Sequence, residues 1–228
     1  MRVSRPFGQA GHTAVDVLLV DSRRLVRAGT KRVLSDPGHL RVSGEAATFD
    51  EAIRQARKRP PQLVVVNMPA AAADVLEGVR KIQRQFATAR VLVLSDESDL
   101  IIPERLLQTG VAGCVSSFCS VEELFDAIDA VLAGERYISD SLARKLAERR
   151  LAGASGTPFD QLSHRELQIL LRIAEGRNAA AIARELCLTQ KTVNGYRNRL
   201  LDKLRAGTEV ELMRLAARHG LVRIAQSA

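Results

Sequence analysis

Five short apolar segments alternate with helix-like segments through the first 133 residues, and this alternation constrains the fold more than any other feature of the chain. The apolar segments are VDVLLV (15–20), LRVSGEA (40–46), LVVVN (63–67), RVLVL (90–94) and GCVSS (113–117). The segments between them place apolar residues at helical spacing, as Leu76, Val79, Ile82 and Phe86 illustrate. Parallel strands need helical crossovers of this length. The pattern therefore predicts an α/β domain with a five-stranded, parallel, doubly wound sheet.

The pattern from residue 161 onward is helical throughout. Ser163 and Glu166 have the spacing of a capping box, which predicts a helix start there. The segments NAAAIAREL (178–186) and QKTVNGYRNRLLDKL (190–204) predict a short and a longer, basic helix with a tight turn between them, and Thr208 precedes a fourth helical segment. Two helices joined by a short turn, with a basic second helix, are typical of a helix-turn-helix. The second domain is therefore predicted to be an all-α, four-helix domain.

Composition along the chain predicts the domain boundaries. The segment LAGASGTPFD (151–160) is rich in small and turn-forming residues, as linkers commonly are. We predict an N-terminal extension over residues 1–14, an α/β domain over 15–136, a linker over 137–158 and a helical domain over 159–228.

The net charge of the protein is concentrated in its C-terminal part. Residues 141–228 contain 16 Lys and Arg against 8 Asp and Glu, so they account for the whole net charge of +8. The first 140 residues contain 18 residues of each sign and are neutral. A neutral module joined to a basic helical module indicates a nucleic-acid partner, and a helix-turn-helix indicates double-stranded DNA.

Composition argues against several other classes of protein. With 46% apolar residues the chain is not expected to be disordered. Its apolar runs are only a few residues long, so we expect no membrane span, and the first fourteen residues contain no apolar stretch typical of a signal peptide. Three cysteines and four histidines show no metal-ligand or catalytic spacing. We therefore expect a cytoplasmic protein that is not an enzyme and needs neither metal nor cofactor.

The helical domain resembles a known family. The segment LSHRELQILLRIAEGRNAAAIARELCLTQKTVNGYRNRLLDKL (162–204) resembles a LuxR-type helix-turn-helix in the pattern L-[ST]-x-R-E, A-x-G, I-A-x-x-L, T-V-x-x-[HY] and K-L. The first domain resembles the receiver of two-component signalling. Together they resemble a NarL/FixJ-family response regulator, with segments such as LLQTGVAGCVS and EVELMRLAARHGLV similar to the GacA/UvrY type. The resemblance extends from about Val15 to Val222.

The resemblance also identifies where a receiver would accept a phosphoryl group, and this chain departs from the family there. Receivers have two acidic residues after the first strand that help hold Mg²⁺, an acceptor Asp after the third, Ser or Thr after the fourth and Lys after the fifth, with an aromatic residue three positions before that Lys. The corresponding residues here are Asp21, Ser22, Asn67, Ser95, Ser117 and Cys114. Only Asp21 and Ser95 keep the residue type of the family.

These departures predict that the receiver does not undergo aspartyl phosphorylation. An amide lacks the anionic oxygen that attacks phosphorus, a single carboxylate is a poor Mg²⁺ site, and no Lys neutralises the transferred group. We therefore expect control without phosphorylation, through a small-molecule ligand or a paralogous regulator. Arg23 and Arg24 form either a new anion site or an ordinary solvated pair.

The resemblance implies which residues contact DNA. In the family, base contacts come from the first two turns of the third helix, and the matching residues are Asn194, Gly195 and Asn198. Asn pairs with adenine in the major groove. The flanking residues predicted to contact DNA phosphates or add positive charge are Lys191, Thr192, Tyr196, Arg197, Arg199 and Lys203. We also expect a homodimer, with the apolar residues of the fourth helix as the candidate contact face.

Two alternative functions remain open at the level of sequence. One is a conventional phosphorylated response regulator that tolerates the changed pocket. The other is a protein-interaction module that inhibits a paralogous regulator by forming mixed dimers with it.

Overall fold

Six parallel strands form the sheet of the first domain in the computed structural model, which describes residues 14–36, 38–67, 72–96, 100–151, 157–219 and 221. The strands are β1 (Val15–Val20), β2 (Leu40–Ala46), β3 (Leu63–Val66), β4 (Arg90–Ser95), β5 (Gly113–Ser116) and β6 (Tyr137–Ile138). Their order in the sheet is β2-β1-β3-β4-β5-β6. The predicted parallel α/β architecture is confirmed, except that the sheet has six strands where five were expected.

The helices are numbered in chain order. Those of the first domain are α1 (Arg24–Ser35), α2 (Phe49–Lys58), α3 (Ala72–Gln85), α4 (Ile101–Gln108) and α5 (Val121–Leu132). After β6 follow α6 (Asp140–Leu151), α7 (His164–Ala174), α8 (Ala179–Glu185), α9 (Gln190–Leu204) and α10 (Glu209–Arg218). None of the described helices combines the length and apolar content that crossing a membrane requires.

Alternate residues of each central strand face opposite sides of the sheet. On β1, Leu18 and Val20 pack with α2, α3 and α4, whereas Val17 and Leu19 pack in a second cluster with α1 and α5. Residues on one strand alternate between faces, and helices cover both, so the strands are apolar along their whole length. The sheet is therefore doubly wound, and its carboxyl edge remains open for polar side chains.

The segment predicted as a linker begins with regular structure. Tyr137 donates its N–H to the carbonyl of Ala112 at 3.1 Å, which adds β6 to the sheet edge. Helix α6 follows and buries Leu142 completely. The domain boundaries as such remain predictions, and residues 1–13, 152–156 and 222–228 of the predicted extension, linker and C-terminus lie outside the described residues.

The two domains pack against each other through α3 and α7. A single hydrophobic cluster contains residues of both, among them Val79 and Ile82 of α3 and Leu167 of α7. Arg172 of α7 forms an ion pair with Asp74 of α3 across the boundary. Arg105 of α4 donates from Nη2 to the carbonyl of Phe159 at 2.7 Å and to that of Leu162 at 3.2 Å. Apolar packing and charged hydrogen bonds thus hold the domains together.

Candidate functional sites at the sheet edge and in the helix-turn-helix

The carboxyl edge of the sheet brings together four of the six predicted pocket residues. Asp21 and Asn67 directly follow the neighbouring strands β1 and β3, and the Asn67 N–H donates to the carbonyl of Val20 at 2.8 Å. Ser95 ends β4, and the Ser117 N–H after β5 donates to the Ser95 carbonyl at 2.8 Å. Asn67 is 6% exposed, so the amide occupies a buried strand end.

The guanidinium of Arg23 forms an ion pair with the carboxylate of Asp21. Asp21 is fully buried and accepts hydrogen bonds at Oδ1 from Nε of Arg23 and at Oδ2 from Nη2, each at 3.1 Å. The backbone N–H of Arg23 adds a bond to Oδ1 at 2.8 Å. Nη2 also lies 3.4 Å from the carbonyl oxygen of Asn67. One arginine therefore neutralises the only carboxylate retained from the family pattern and links the ends of β1 and β3.

This arrangement does not fit a divalent cation. Mg²⁺ prefers several hard oxygen ligands, carboxylates above all. Both oxygens of Asp21 already accept hydrogen bonds from a cation, the second acidic position is the exposed hydroxyl of Ser22, and the third is the neutral amide of Asn67. The sequence left open whether Arg23 and Arg24 form an anion site or a solvated pair. In the structure Arg23 forms an ion pair with Asp21, and Arg24 is exposed at the start of α1.

The remaining predicted pocket residue, Cys114, lies below the edge rather than on it. Its side chain is completely buried within β5, where burial raises the pKa of the thiol to about 12. Sequence reasoning missed the role of Arg23, although its spacing of two residues from Asp21 is the signal that could have indicated it.

Helices α8 and α9 form the predicted helix-turn-helix. Asn178 caps α8 through the N–H of Ala181 at 2.9 Å, and Thr189 caps α9 through the N–H of Thr192 at 3.1 Å. Between the helices Cys187 adopts a left-handed backbone with φ of 52°. The caps and the turn fix where α9 begins, and so fix which residues lie in its first two turns.

The residues predicted to contact base edges lie on the exposed side of α9. Asn194 and Asn198 are exposed, and their side chains make no hydrogen bond with any other described residue; Lys191 and Thr192 are exposed beside them. A Cβ atom at Gly195 would meet no atom within 4 Å, so the surface above it is open. Val193, Leu200 and Leu204 are buried on the opposite side. The amphipathic pattern therefore leaves one polar face available to a ligand.

Two of the basic residues predicted to contact DNA, Arg197 and Lys203, form ion pairs within the protein. Arg197 is ion-paired with Glu209 at the start of α10, and its side chain is 21% exposed. The Lys203 Nζ lies 2.8 Å from Oε2 of Glu166. Burial opposes ionisation of Glu166, but hydrogen bonds from Lys203 and Ser163 outweigh it and lower the pKa of that carboxyl.

Arg199 is held less firmly within the protein than Arg197 and Lys203 are. Its guanidinium stacks on the Tyr196 ring at 4.3 Å from the centroid, and its Nε lies 3.9 Å from Glu166. At that distance the ion pair is weak, and the side chain is 55% exposed. Arg199 can therefore meet a phosphate, whereas Arg197 and Lys203 must first leave an acidic partner.

The candidate dimer face on α10 is largely used inside the domain. Leu212 and Ala216 are buried, and α10 packs closely on α7. Val210 is 55% exposed, and Met213 and Leu215 are partly buried against the core. The intramolecular packing takes part of the face, which leaves Val210 as its exposed apolar residue.

Two family models match this chain, one for each domain. Residues 160–216 match the family described as bacterial regulatory proteins, luxR family, and residues 17–129 match the response regulator receiver domain. The response regulator UvrY of Escherichia coli strain K12 is 38% identical over 208 residues, which are 91% of this chain and 95% of UvrY. The response regulator GacA of Pseudomonas aeruginosa is 39% identical over 209 residues, covering 91% and 98% of the two chains.

Solved structures show the same fold. The RcsB response regulator of Salmonella typhimurium superposes with a TM-score of 0.72 at 21% identity, covering 91% of this chain and 99% of RcsB. The structure of an RcsB–DNA complex covers 90% and 98% with a TM-score of 0.57, also at 21% identity. At this identity the likeness concerns fold alone, but the sequence relatives extend over nearly the whole chain. The protein therefore belongs to the DNA-binding two-component response regulators of the LuxR family, and is homologous to UvrY and GacA.

Proposed function

We propose that this protein is a transcription regulator that binds promoter DNA and whose receiver domain does not accept a phosphoryl group. The observation that supports this most directly is the Arg23 guanidinium, which bonds both oxygens of Asp21 and reaches the Asn67 carbonyl. Control of DNA binding is then independent of aspartyl phosphorylation.

The chemistry of the sheet edge supports the loss of phosphoryl transfer. The transfer needs an anionic oxygen nucleophile and positive charge at the three phosphoryl oxygens. Asn67 offers an amide oxygen with no formal charge, and exposed Ser117 stands where the family has Lys. The charge of Arg23 cannot substitute for that Lys, because it is already neutralised by Asp21.

The geometry of α9 supports sequence reading by Asn194 and Asn198. An Asn side chain can donate to N7 and accept from the N6 amino group of adenine at once when its two amide atoms face the base edge. Both residues are exposed, lie in the first turns of the helix and have no competing hydrogen bond among the described residues. The RcsB–DNA structure shows that a protein of the same fold binds DNA as a whole chain.

Dimerisation is part of the proposal. Another solved structure is described as two RcsB dimers bound to two parallel DNAs, and that protein shares this fold. Dimers of helix-turn-helix proteins place two recognition helices about 34 Å apart, one turn of DNA. Light scattering of this protein at micromolar concentration should show a dimer at least in the presence of DNA. A monomer under both conditions would contradict this part of the proposal.

A phosphotransfer experiment with graded variants tests the pocket. Wild-type protein incubated with acetyl phosphate and Mg²⁺ should gain no mass of one phosphoryl group in intact mass spectrometry, whereas a conventional receiver treated in parallel should. Asn67→Asp alone should label poorly, because Arg23 still engages Asp21. A variant combining Asn67→Asp, Ser22→Asp, Ser117→Lys and Arg23→Ala should label best. One phosphoryl group on the wild-type receiver would overturn the proposal in favour of a conventional regulator.

Genome-wide footprinting tests the DNA-binding part separately. Wild-type protein and the Asn67→Asp variant should protect the same promoter sites to a similar extent, since phosphorylation does not control the wild type. If the wild type protects no site and captures only paralogous regulators in a pull-down, the protein acts through mixed dimers instead.

A further inference from the structure

A basic cleft lies at the boundary between the receiver domain and the DNA-binding domain. Its volume is about 430 Å³, which is within the range of small-molecule sites. Helices α3, α4 and the first residue of α7 line it. The lining residues are Arg80, Gln83, Arg84, Arg105, Gln108, Thr109 and His164. The set contains three arginines, one histidine and no acidic residue, so the cleft has a strongly positive lining.

The arginines of the cleft differ in how they are held. Arg80 and Arg84 of α3 are exposed, and neither side chain forms an ion pair or hydrogen bond with another described residue. Arg105 is anchored by the carbonyls of Phe159 and Leu162, at 2.7 and 3.2 Å from Nη2. Carbonyl bonds fix the guanidinium but do not cancel its charge. Among the described residues no carboxylate is ion-paired with any of these three guanidinium groups.

His164 of the DNA-binding domain also lines the cleft, near the same positive charges. Its imidazole Nε2 is buried without a hydrogen-bond partner among the described residues. Burial lowers the pKa of His164, and the charges of Arg80 and Arg105 lower it further. Glu77 acts in the opposite direction, but it is ion-paired with Lys81 at 2.9 Å. His164 also begins α7, an eleven-residue helix whose N-terminus favours a negative charge.

From this geometry we infer that the cleft binds a small molecule with two or more phosphoryl groups, and that this ligand links the two domains. Guanidinium groups bind phosphate oxygens in a bidentate manner, and three of them at one concave site match a ligand with several such oxygens. The ligand would contact α3 and α4 of the receiver and α7 of the DNA-binding domain at once. Binding of the ligand would then change the stability of the contact between the two domains, and this site is separate from Asn67.

Concave shape favours a small ligand over DNA phosphates at this place. Double-stranded DNA is a convex rod, and the predicted base-reading residues Asn194 and Asn198 lie on α9, which does not line the cleft. A small polyanion can enter between two helices and contact both walls. The same arginines could still meet a DNA backbone outside the cleft, and the experiment separates the two.

Calorimetric titration of the full-length protein with inorganic pyrophosphate tests the inference. At 150 mM chloride the wild type should bind one equivalent with a dissociation constant below about 1 mM. The Arg80→Gln/Arg84→Gln variant should bind at least tenfold more weakly. The matched control is Arg24→Gln/Arg54→Gln, which also removes two exposed arginines that have no ion pair among the described residues, but none from the cleft. Its affinity should stay within twofold of wild type. Melting temperature without ligand should be similar for all three proteins.

A second readout places the ligand. The imidazole signals of His164 should shift on addition of pyrophosphate, and the His164 pKa should rise because a nearby anion favours the charged form. Absence of saturable binding to the wild type would overturn the inference, and so would equal weakening in both double variants. If only non-specific DNA affinity falls in Arg80→Gln/Arg84→Gln while pyrophosphate does not bind, the surface contacts DNA and the small-ligand site does not exist.

Discussion

Replacing Arg23 with alanine should destabilise the receiver domain by about 1–2 kcal/mol. Asp21 is fully buried and accepts two side-chain hydrogen bonds from Arg23 at 3.1 Å. Hydrogen bonds to a charged group contribute about 1.5–3 kcal/mol. The Arg23 side chain is 41% exposed, so solvent screening reduces that figure. The backbone N–H of residue 23 keeps its bond to Asp21 in the variant, which limits the loss further.

Urea unfolding followed by circular dichroism measures this effect. Arg24→Ala is the matched control, because it removes the neighbouring exposed arginine, which has no ion pair among the described residues. It should change the free energy of unfolding by less than about 0.5 kcal/mol. A double-mutant cycle with Asp21→Asn should give a coupling energy of about 1 kcal/mol between Asp21 and Arg23. Equal effects of Arg23→Ala and Arg24→Ala, or a coupling near zero, would refute the view that Arg23 stabilises the buried carboxylate of Asp21.

Three further predictions concern base reading, the domain contact and pH. Asn194→Ala should weaken specific DNA binding by about 1–3 kcal/mol and leave non-specific affinity nearly unchanged in a competition assay; an unchanged ratio would contradict base contact there. Arg172→Met removes the ion pair with Asp74 that joins the two domains, so limited proteolysis between the domains should become faster. Arg177→Met, which removes an arginine whose side chain is 56% exposed, should not change that rate. The pKa of His164 lies below 6.5 in the folded protein, so on acidification the imidazole takes up a proton more readily in the unfolded chain. The free energy of unfolding should therefore fall as pH decreases below 6.5, and it should fall less in His164→Gln.

The architecture could be predicted because local patterns and long-range packing agree. Apolar runs of four to seven residues between helical segments specify buried parallel strands, and the observed strands begin at the predicted residues. Ser163 and Glu166 form the predicted capping box, with the side chain of each bonded to the backbone N–H of the other. Such signals involve residues close in sequence, so they are visible without a structure.

Strand β6 and the full length of helix α6 were not predicted, for the opposite reason: the segment SDSLARKLAERR allows a helical turn or two, but it was assigned to the linker. Two residues, Tyr137 and Ile138, are too few to show a periodicity, and they become a strand only because β5 offers an unpaired edge. The α6 segment lies next to a Gly/Pro-rich stretch, so its composition favoured a linker. Both elements depend on partners far along the chain, and sequence patterns do not report such partners.

For the pocket, too, the positions of the residues could be predicted from the sequence, whereas their side-chain contacts could not. The resemblance to receivers predicted that Asp21, Asn67, Ser95 and Ser117 would meet at the sheet edge, and the structure places them there. The partner of Asp21 was not predicted. An arginine two residues after a buried carboxylate can fold back onto it or extend into solvent. Its conformation depends in part on contacts made only in the folded chain, such as that of Arg23 Nη2 with the Asn67 carbonyl at 3.4 Å.

Charge counted along the sequence overstates the charge that α9 presents to DNA. Of its basic residues, Arg197 is paired with Glu209 and Lys203 with Glu166. Each cation that contacts a phosphate adds about 0.9 to the slope of log affinity against log salt concentration. With two cations of each chain neutralised, that slope should be lower by about 1.8 per chain than the count of Lys and Arg suggests.

Glu209→Gln tests this reasoning by releasing Arg197. The variant should bind non-specific DNA more tightly and show a salt slope steeper by about 0.9 per chain, because the freed guanidinium can meet a phosphate. Asp202→Asn is the matched control: it also removes one negative charge from this region, but Asp202 is exposed and pairs with no cation among the described residues. Its slope should match that of the wild type. If both variants steepen the slope equally, the general field of the domain determines DNA affinity, and the pairing of Arg197 with Glu209 does not limit it.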